Sequence, residues 1–303
     1  MTLSNSQISN ALNKVDPAIA QLLKKSIKDL SFSGKIIDSN FECAEQLLPL
    51  AKAFSIHPIS GFAVGAVAVG QSGNLYLGAN IEFLGVPLHA TIHAEQSALL
   101  NARMHQENKI VALYVSELPC GHCRQFLREL SNINRLKIFV HGHAYSLETL
   151  LPNAFGEAPT KGLGLLDTRN TKLEIERAQL NASTKCAIDA AERSYTPYSH
   201  SPEGFFIQCT DGRIFVGSIA ECAAFNPSVP SVIVALNQRN FSTSRDVPIN
   251  KAIQVKVATS INDSLAFAQS VINSISDCEV ECVYVGVRLS LIHISEPTRP
   301  LIL

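Results

Sequence analysis

Apolar positions fall into short blocks, and the blocks recur in one order. Phe62 to Val69 is an almost unbroken run of small and β-branched apolar residues, which predicts a strand covered on both faces. Beyond Ser72-Gly73, Leu75 to Ala79 predicts its hairpin partner. Gly204 to Cys209 and Arg213 to Gly217, joined by Asp211-Gly212, predict a second hairpin. An amphipathic helix and a Pro-containing turn precede each hairpin. After the first come a helix from about His93, a strand Ile110 to Val115, a helix from about Gly121 and a strand Leu136 to Val140.

The two copies align without a gap over their first part. Pro58 and Ser60 match Pro197 and Ser199, Gly65 matches Gly204, Gly73 matches Gly212, Gly78 matches Gly217 and Glu82 matches Glu221, each 139 positions apart. A repeated order of hairpin, helix, strand, helix and strand predicts an α/β chain of two tandem three-layer α-β-α domains, each a mixed sheet flanked by helices. The expected organisation is an N-terminal helical extension over residues 1–39, a first domain over 40–158, a Pro/Gly-rich linker over 159–177 and a second domain over 178–288. Residues 289–303 carry neither a helical nor a strand period and read as a translated cloning or sequencing-adaptor scar, so the native end is expected just after the strand near Val280 to Val287.

Composition narrows the function classes. Among 303 residues, 46% are hydrophobic and 17% charged, with a formal net charge of −1. The absence of a basic run argues against a surface that tracks phosphates. The residues before Asn40 lack the apolar core of a signal peptide, and no stretch is apolar enough to span a membrane, so the expected location is the cytosol. Eight cysteines in such a chain are expected as reduced thiols or metal ligands.

The candidate chemistry lies in the first copy. Cys120 and Cys123, three apart at a predicted helix start, present two sulfurs on one face. Pro119 suits that start, and the helix end favours the thiolate form. His93 opens the neighbouring helix and supplies a nitrogen. Three protein ligands leave a tetrahedral zinc one open corner for water, whose pKa such a metal lowers from 15.7 to about 7. Glu95, two residues from His93, is placed to move protons beside that water. A closed structural site would need His122 as fourth ligand, but its neighbour Cys123 occupies the shared face. Cys278 and Cys282 have no matching pair and are expected in the core, as are Cys43, Cys186, Cys209 and Cys222.

His93-Ala94-Glu95 with Pro119-Cys120-Gly121-His122-Cys123 resembles the signature of zinc deaminases. From about Phe41 to Val287 the chain is similar to the two-domain, homodimeric cytidine deaminases of enteric bacteria and plants. That resemblance implies one zinc ion per subunit held by His93, Cys120 and Cys123, with Glu95 as proton shuttle in the hydrolysis of cytidine and deoxycytidine. It further implies that Asn80 and Glu82, in Gly78-Ala79-Asn80-Ile81-Glu82-Phe83, bind the ribose 3′-hydroxyl, with Ile81 as intervening backbone. It makes Phe62 the aromatic residue against the base, and lets Phe155 reach into the partner subunit's site.

The second copy is unarmed: moving His93 to Glu95 by 139 positions gives Val232, Ile233 and Val234, and no Pro-Cys-x-x-Cys follows. Ala223-Ala224-Phe225-Asn226-Pro227 resembles the family's noncatalytic domain. Ile56-His57 before Pro58 differs from its counterpart Tyr195-Thr196. Two rival functions remain on sequence grounds, a polynucleotide cytosine deaminase and an inactive zinc-stabilised binding protein. The even charge balance argues against the first, and the presence of Glu95 against the second.

Overall fold

The computed structural model describes residues 5–15, 17–28, 32–37, 44–167, 170–175, 180–242 and 245–287. Cys43 and the expected scar at 289–303 lie outside them. In chain order the first half contains α1 (Asn5–Leu12), α2 (Pro17–Lys28), β1 (Lys35–Ile37), α3 (Leu48–Ala53), β2 (Gly65–Gly70), β3 (Asn74–Ala79) and α4 (Ala94–Met104). It continues with β4 (Ile110–Val115), α5 (Gly121–Leu127), β5 (Lys137–Val140), β6 (His143–Tyr145) and α6 (Leu147–Leu150). The second half contains β7 (Leu173–Glu174), α7 (Ala182–Glu192), β8 (Glu203–Cys209), β9 (Ile214–Ser218), α8 (Ser231–Asn240), β10 (Ile249–Val257), α9 (Leu265–Asn273) and β11 (Val280–Val287).

The sheet orders are β1-β3-β2-β4-β5-β6 and β7-β11-β10-β8-β9. Within them β3-β2-β4-β5 and β9-β8-β10-β11 share two antiparallel pairings and a final parallel one. Each parallel pair needs a crossover, which α5 and α9 supply. The repeat seen in sequence is therefore a repeat of topology.

Alternation along β2 explains the layering. Val67 and Val69 face the N-terminal helices with Leu12, Leu47 and Leu50, while Ala66 and Ala68 face α4 with Ala98 and Leu99. In the second half Phe206 and Val255 pack on Ala187 and Ile188 of α7. Phe205 and Ile207 face α8, and this inner side merges with the core around α4 into one cluster. Helices α4 and α8 thus lie between the sheets. Gly78 and Gly217 let them approach: a Cβ would come within 2.1 Å of the Ala94 carbonyl oxygen at one and 2.2 Å of the Ser231 oxygen at the other.

Several boundaries differ from the sequence reading. Phe62 to Val64 precede β2 as loop, because their backbone groups bond Asn80 and Ser60 rather than a neighbouring strand. The N-terminal segment is not wholly helical, since Lys35–Ile37 joins β3 as an edge strand. Within the expected linker, Leu165 and Leu166 are buried and β7 pairs with β11, so the interval is largely built into the fold. The turns at Ile56-His57 and Tyr195-Thr196 share one shape. Gly61 and His200 both have positive φ (65° and 52°), and each donates its N–H four residues back.

The two halves also drift out of the constant 139 offset. Ile81 pairs with Ile92, and Ala220 with Val229, so the loop is two residues shorter in the second half. From there the offset is 137: Ala94 and Ser231 meet equivalent glycines. The counterparts of His93, Ala94 and Glu95 are consequently Pro230, Ser231 and Val232, which corrects the sequence alignment and leaves the second half unarmed.

Candidate functional site

His93 is the extended residue that caps α4, and Cys120 the extended residue that caps α5. Each helix start therefore aims one donor into the space between them. Cys123, one turn into α5, is fully buried and completes the group: the donor atoms of His93, Cys120 and Cys123 all lie within 4.8 Å of one another. His93 Nδ1 is 3.4 Å from Cys120 Sγ. A tetrahedral zinc with bonds of about 2.3 Å to sulfur and 2.0–2.1 Å to nitrogen would separate such atoms by about 3.6 Å. The spacing and soft donors fit zinc.

Electrostatics prepare one sulfur. A hydrogen bond from the Cys123 thiol, working against burial and aided by His93, pulls Cys120 down to about 3. Burial and the neighbouring Cys120 push the Cys123 thiol well above its ordinary value. A cation between the two sulfurs would favour the thiolate form of both. Glu95 is 5% exposed, hydrogen-bonds with Cys123 and has its carboxyl pushed up chiefly by burial. His122 is not a fourth donor: its ring stacks on His93 at 5.2 Å, and its Nε2 lies 3.3 Å from Gln96 Nε2.

Asn80 and Glu82 both grip the loop carrying Phe62. Asn80 Oδ1 accepts from Ser55 Oγ at 2.5 Å and Val64 N at 2.8 Å, and its Nδ2 donates to Phe62 O. Glu82 accepts from Ile59 N, Ser60 N and Ser60 Oγ. Burial raises its carboxyl, but those hydrogen bonds with His57 outweigh burial and hold it below the usual carboxylate range. Ile81 is 2% exposed, and its backbone N–H and C=O are paired with Ile92. The Phe62 ring is 55% exposed at the loop tip. Phe155, 59% exposed, is anchored through its backbone to the Gln125 side chain of its own chain.

The unarmed half serves as an internal control. Glu221 grips Tyr198 N, Ser199 N and Ser199 Oγ as Glu82 grips its loop, so that grip does not depend on a metal. The remaining positions change together. Asn80 corresponds to Ile219, Phe62 to Ser201, His93 to Pro230 and Glu95 to Val232, while the helix caps Cys120 and Ser264 correspond and set Cys123 against Phe267.

Glu203 fills the equivalent place. It is 4% exposed, and its carboxylate accepts from Ser231 Oγ at 2.5 Å and from Ser264 Oγ. Ser231 opens α8 and Ser264 caps α9, so the helix ends that present His93 and Cys120 in the first half converge here on a carboxylate. Glu203→Leu would leave both hydroxyls without that acceptor, at a cost of about 2–3 kcal/mol. Urea unfolding is expected to show this loss with zinc content unchanged; wild-type stability would contradict it.

The sequence matches the family described as "Cytidine and deoxycytidylate deaminase zinc-binding region" twice, over residues 39–140 and 147–266. It is 43% identical to the cytidine deaminase of Proteus mirabilis (strain HI4320) over 222 residues, which are 73% of this chain and 75% of that one. Against the cytidine deaminase of Salmonella typhi it is 45% identical over 210 residues, 68% and 70% of the two chains. Against that of Salmonella paratyphi A it is 45% identical over 237 residues, 77% and 79%. The chain belongs to the cytidine and deoxycytidylate deaminase family. Both halves of this deaminase match the zinc-binding region of the family, yet among the described residues only the first half assembles a His/Cys donor group. Zinc is the cofactor that suits both the family and that group.

Two contributors escaped the sequence reading. Gln96 had a legible signal, standing three residues after the helix cap as in a capping box. Glu129, 2% exposed, had none: it accepts from Tyr195 and Tyr198 hydroxyls and Ala223 N, all distant in sequence.

Proposed function

We propose that this deaminase hydrolyses free cytidine and deoxycytidine to uridine and deoxyuridine with release of ammonia, a pyrimidine-salvage reaction of the cytosol. The observation that carries the reading is the grouping of His93, Cys120 and Cys123 beside the buried Glu95 in one half, with all four replaced in the other.

His93, Cys120 and Cys123 are the ligands in this reading. Zinc held there supplies Lewis-acid activation of water at neutral pH. Glu95 takes a proton from the attacking water and delivers it to pyrimidine N3 while the oxygen bonds to C4. It then carries the second proton to the departing amino group, and the C4–N bond breaks as the C4 carbonyl forms. Glu82 is no substitute for Glu95: three donors of the Ile59–Ser60 turn hold its carboxyl below the usual carboxylate range, and only Oε1, with a single partner, has room to accept one more hydrogen bond. Phe62 meets the base. Asn80 and Glu82 orient the sugar 3′-hydroxyl, with Ile81 as the backbone between them. In a homodimer, Phe155 of one subunit covers the base in the other; its exposed ring on an anchored backbone supports that role.

A nucleoside rather than a polynucleotide substrate follows from the charge balance and from Glu82, whose carboxylate would repel a 3′-phosphate. The domain limits of 40–158 and 178–288 complete the proposal as the two deaminase units proper, to whose sheets β1 and β7 add edge strands from outside those limits. Ultraviolet absorbance is expected to fall with free cytidine, to stay constant after chelation, and to change about 10⁴-fold more slowly with a cytosine oligonucleotide, a discrimination of the size that unpaired buried polar groups impose. Preference for the oligonucleotide would overturn the substrate assignment.

A further inference from the structure

Gln96 joins the metal-ligand candidate His93 to the half of the chain that holds no such group. Its Oε1 accepts the His93 N–H at 3.2 Å, and its Nε2 donates to the Pro227 carbonyl at 2.8 Å. It is 1% exposed, so neither bond competes with bulk water. Pro227 ends the loop 222–227, which other contacts fasten to the first half. Ala223 N donates to Glu129 at 2.9 Å, and Cys222 Sγ lies 3.7 Å from the Gln125 carbonyl oxygen. Glu129 also receives the hydroxyls of Tyr195 and Tyr198, each at 2.8 Å. The loop is tight in itself, with Phe225 at φ 60° and short-range bonds from Phe225, Asn226 and Ser228 N–H groups.

We propose that loop 222–227 of the noncatalytic half is a strut for the metal site: clamped by Glu129, it fixes Gln96, which in turn fixes the backbone of His93. Gln96 and Glu129 are positioning residues that slow metal release. The internal comparison points the same way. At an offset of 137 the counterpart of Gln96 is Ile233, whose side chain has no hydrogen-bonding atom, and the related contact of loop 83–90 on α9 is a ring stack of His89 on Phe267 at 5.7 Å. The polar link occurs where a ligand has to be held and is absent where none is. It also gives the second half a role in the site that burial alone would not. The inference rests on the reading of His93 as a ligand.

The test is the rate at which zinc leaves the purified holoenzyme for an excess of a chromogenic chelator. Gln96→Leu and Glu129→Gln are each expected to release zinc at least about tenfold faster than wild type, within the 10- to 100-fold range for outer-shell partners of metal ligands. The double variant is expected to be no faster than Gln96→Leu, because both cut one linkage. Asn240→Ala removes a different contact between the halves, to the Phe54 carbonyl; it is expected to lower thermal stability while leaving release within twofold of wild type. Wild-type release from Glu129→Gln, or equal acceleration by Asn240→Ala, would overturn the strut even if Gln96→Leu failed to fold. His93→Ala separates the underlying reading: it is expected to retain no zinc, and full zinc retention there would remove His93 as a ligand rather than the strut alone.

Discussion

Glu95→Ala is expected to keep one zinc per chain while kcat falls about 10³-fold or more, toward the upper end of what a positioned acid–base group contributes. Hydrolytic deamination moves two protons, one to N3 and one to the leaving nitrogen, and a single carboxylate between them must serve both. Two carboxylates, Glu95 and Glu82, favour the charged form of His93. Glu82 is tied into its loop, whereas Glu95 lies buried against Cys123. Glu95→Gln provides a variant of the same shape that cannot take up a proton, and it is expected to lose turnover to a similar degree. Steady-state rates with metal analysis of both variants check this. Turnover within tenfold of wild type would remove the shuttle role, and loss of zinc would make Glu95 a ligand.

Cys123→Ser is expected to reduce zinc from one per chain to near zero after dialysis against a chelator, and activity with it. Cys123 is fully buried, so no solvent-derived ligand readily replaces the sulfur. The stability supplied by binding goes too: a ligand present at 1,000 times its dissociation constant adds about 4 kcal/mol. The variant is thus expected to melt with chelator-treated wild type rather than with holoenzyme. Full zinc occupancy and wild-type melting in Cys123→Ser would contradict the ligand assignment.

Local and repeated features were legible in the sequence. Apolar runs such as Ile110–Val115, the turns at Gly73 and Gly212, and the helix starts at His93 and Cys120 follow from side-chain period and turn chemistry. The exchange of the metal-binding positions in the second half was legible as an absence. What replaced them was not, because Glu203, Ser231 and Ser264 meet only after folding. The same holds for Glu129, whose partners come from two separate places in the second half, the turn carrying Tyr195 and Tyr198 and the loop at Ala223. The edge strand Lys35–Ile37 was missed because three residues are too few to carry a period, and the shortened loop before α8 because a constant offset hides a two-residue deletion.

Zinc K-edge absorption on the purified wild-type protein tests the central assignment most directly. The account predicts one zinc per chain with two sulfurs at about 2.3 Å and two lighter atoms at about 2.0–2.1 Å, one from His93 and one from solvent. A shell of three or four sulfurs, or the same two-sulfur shell persisting in Cys123→Ser, would contradict it.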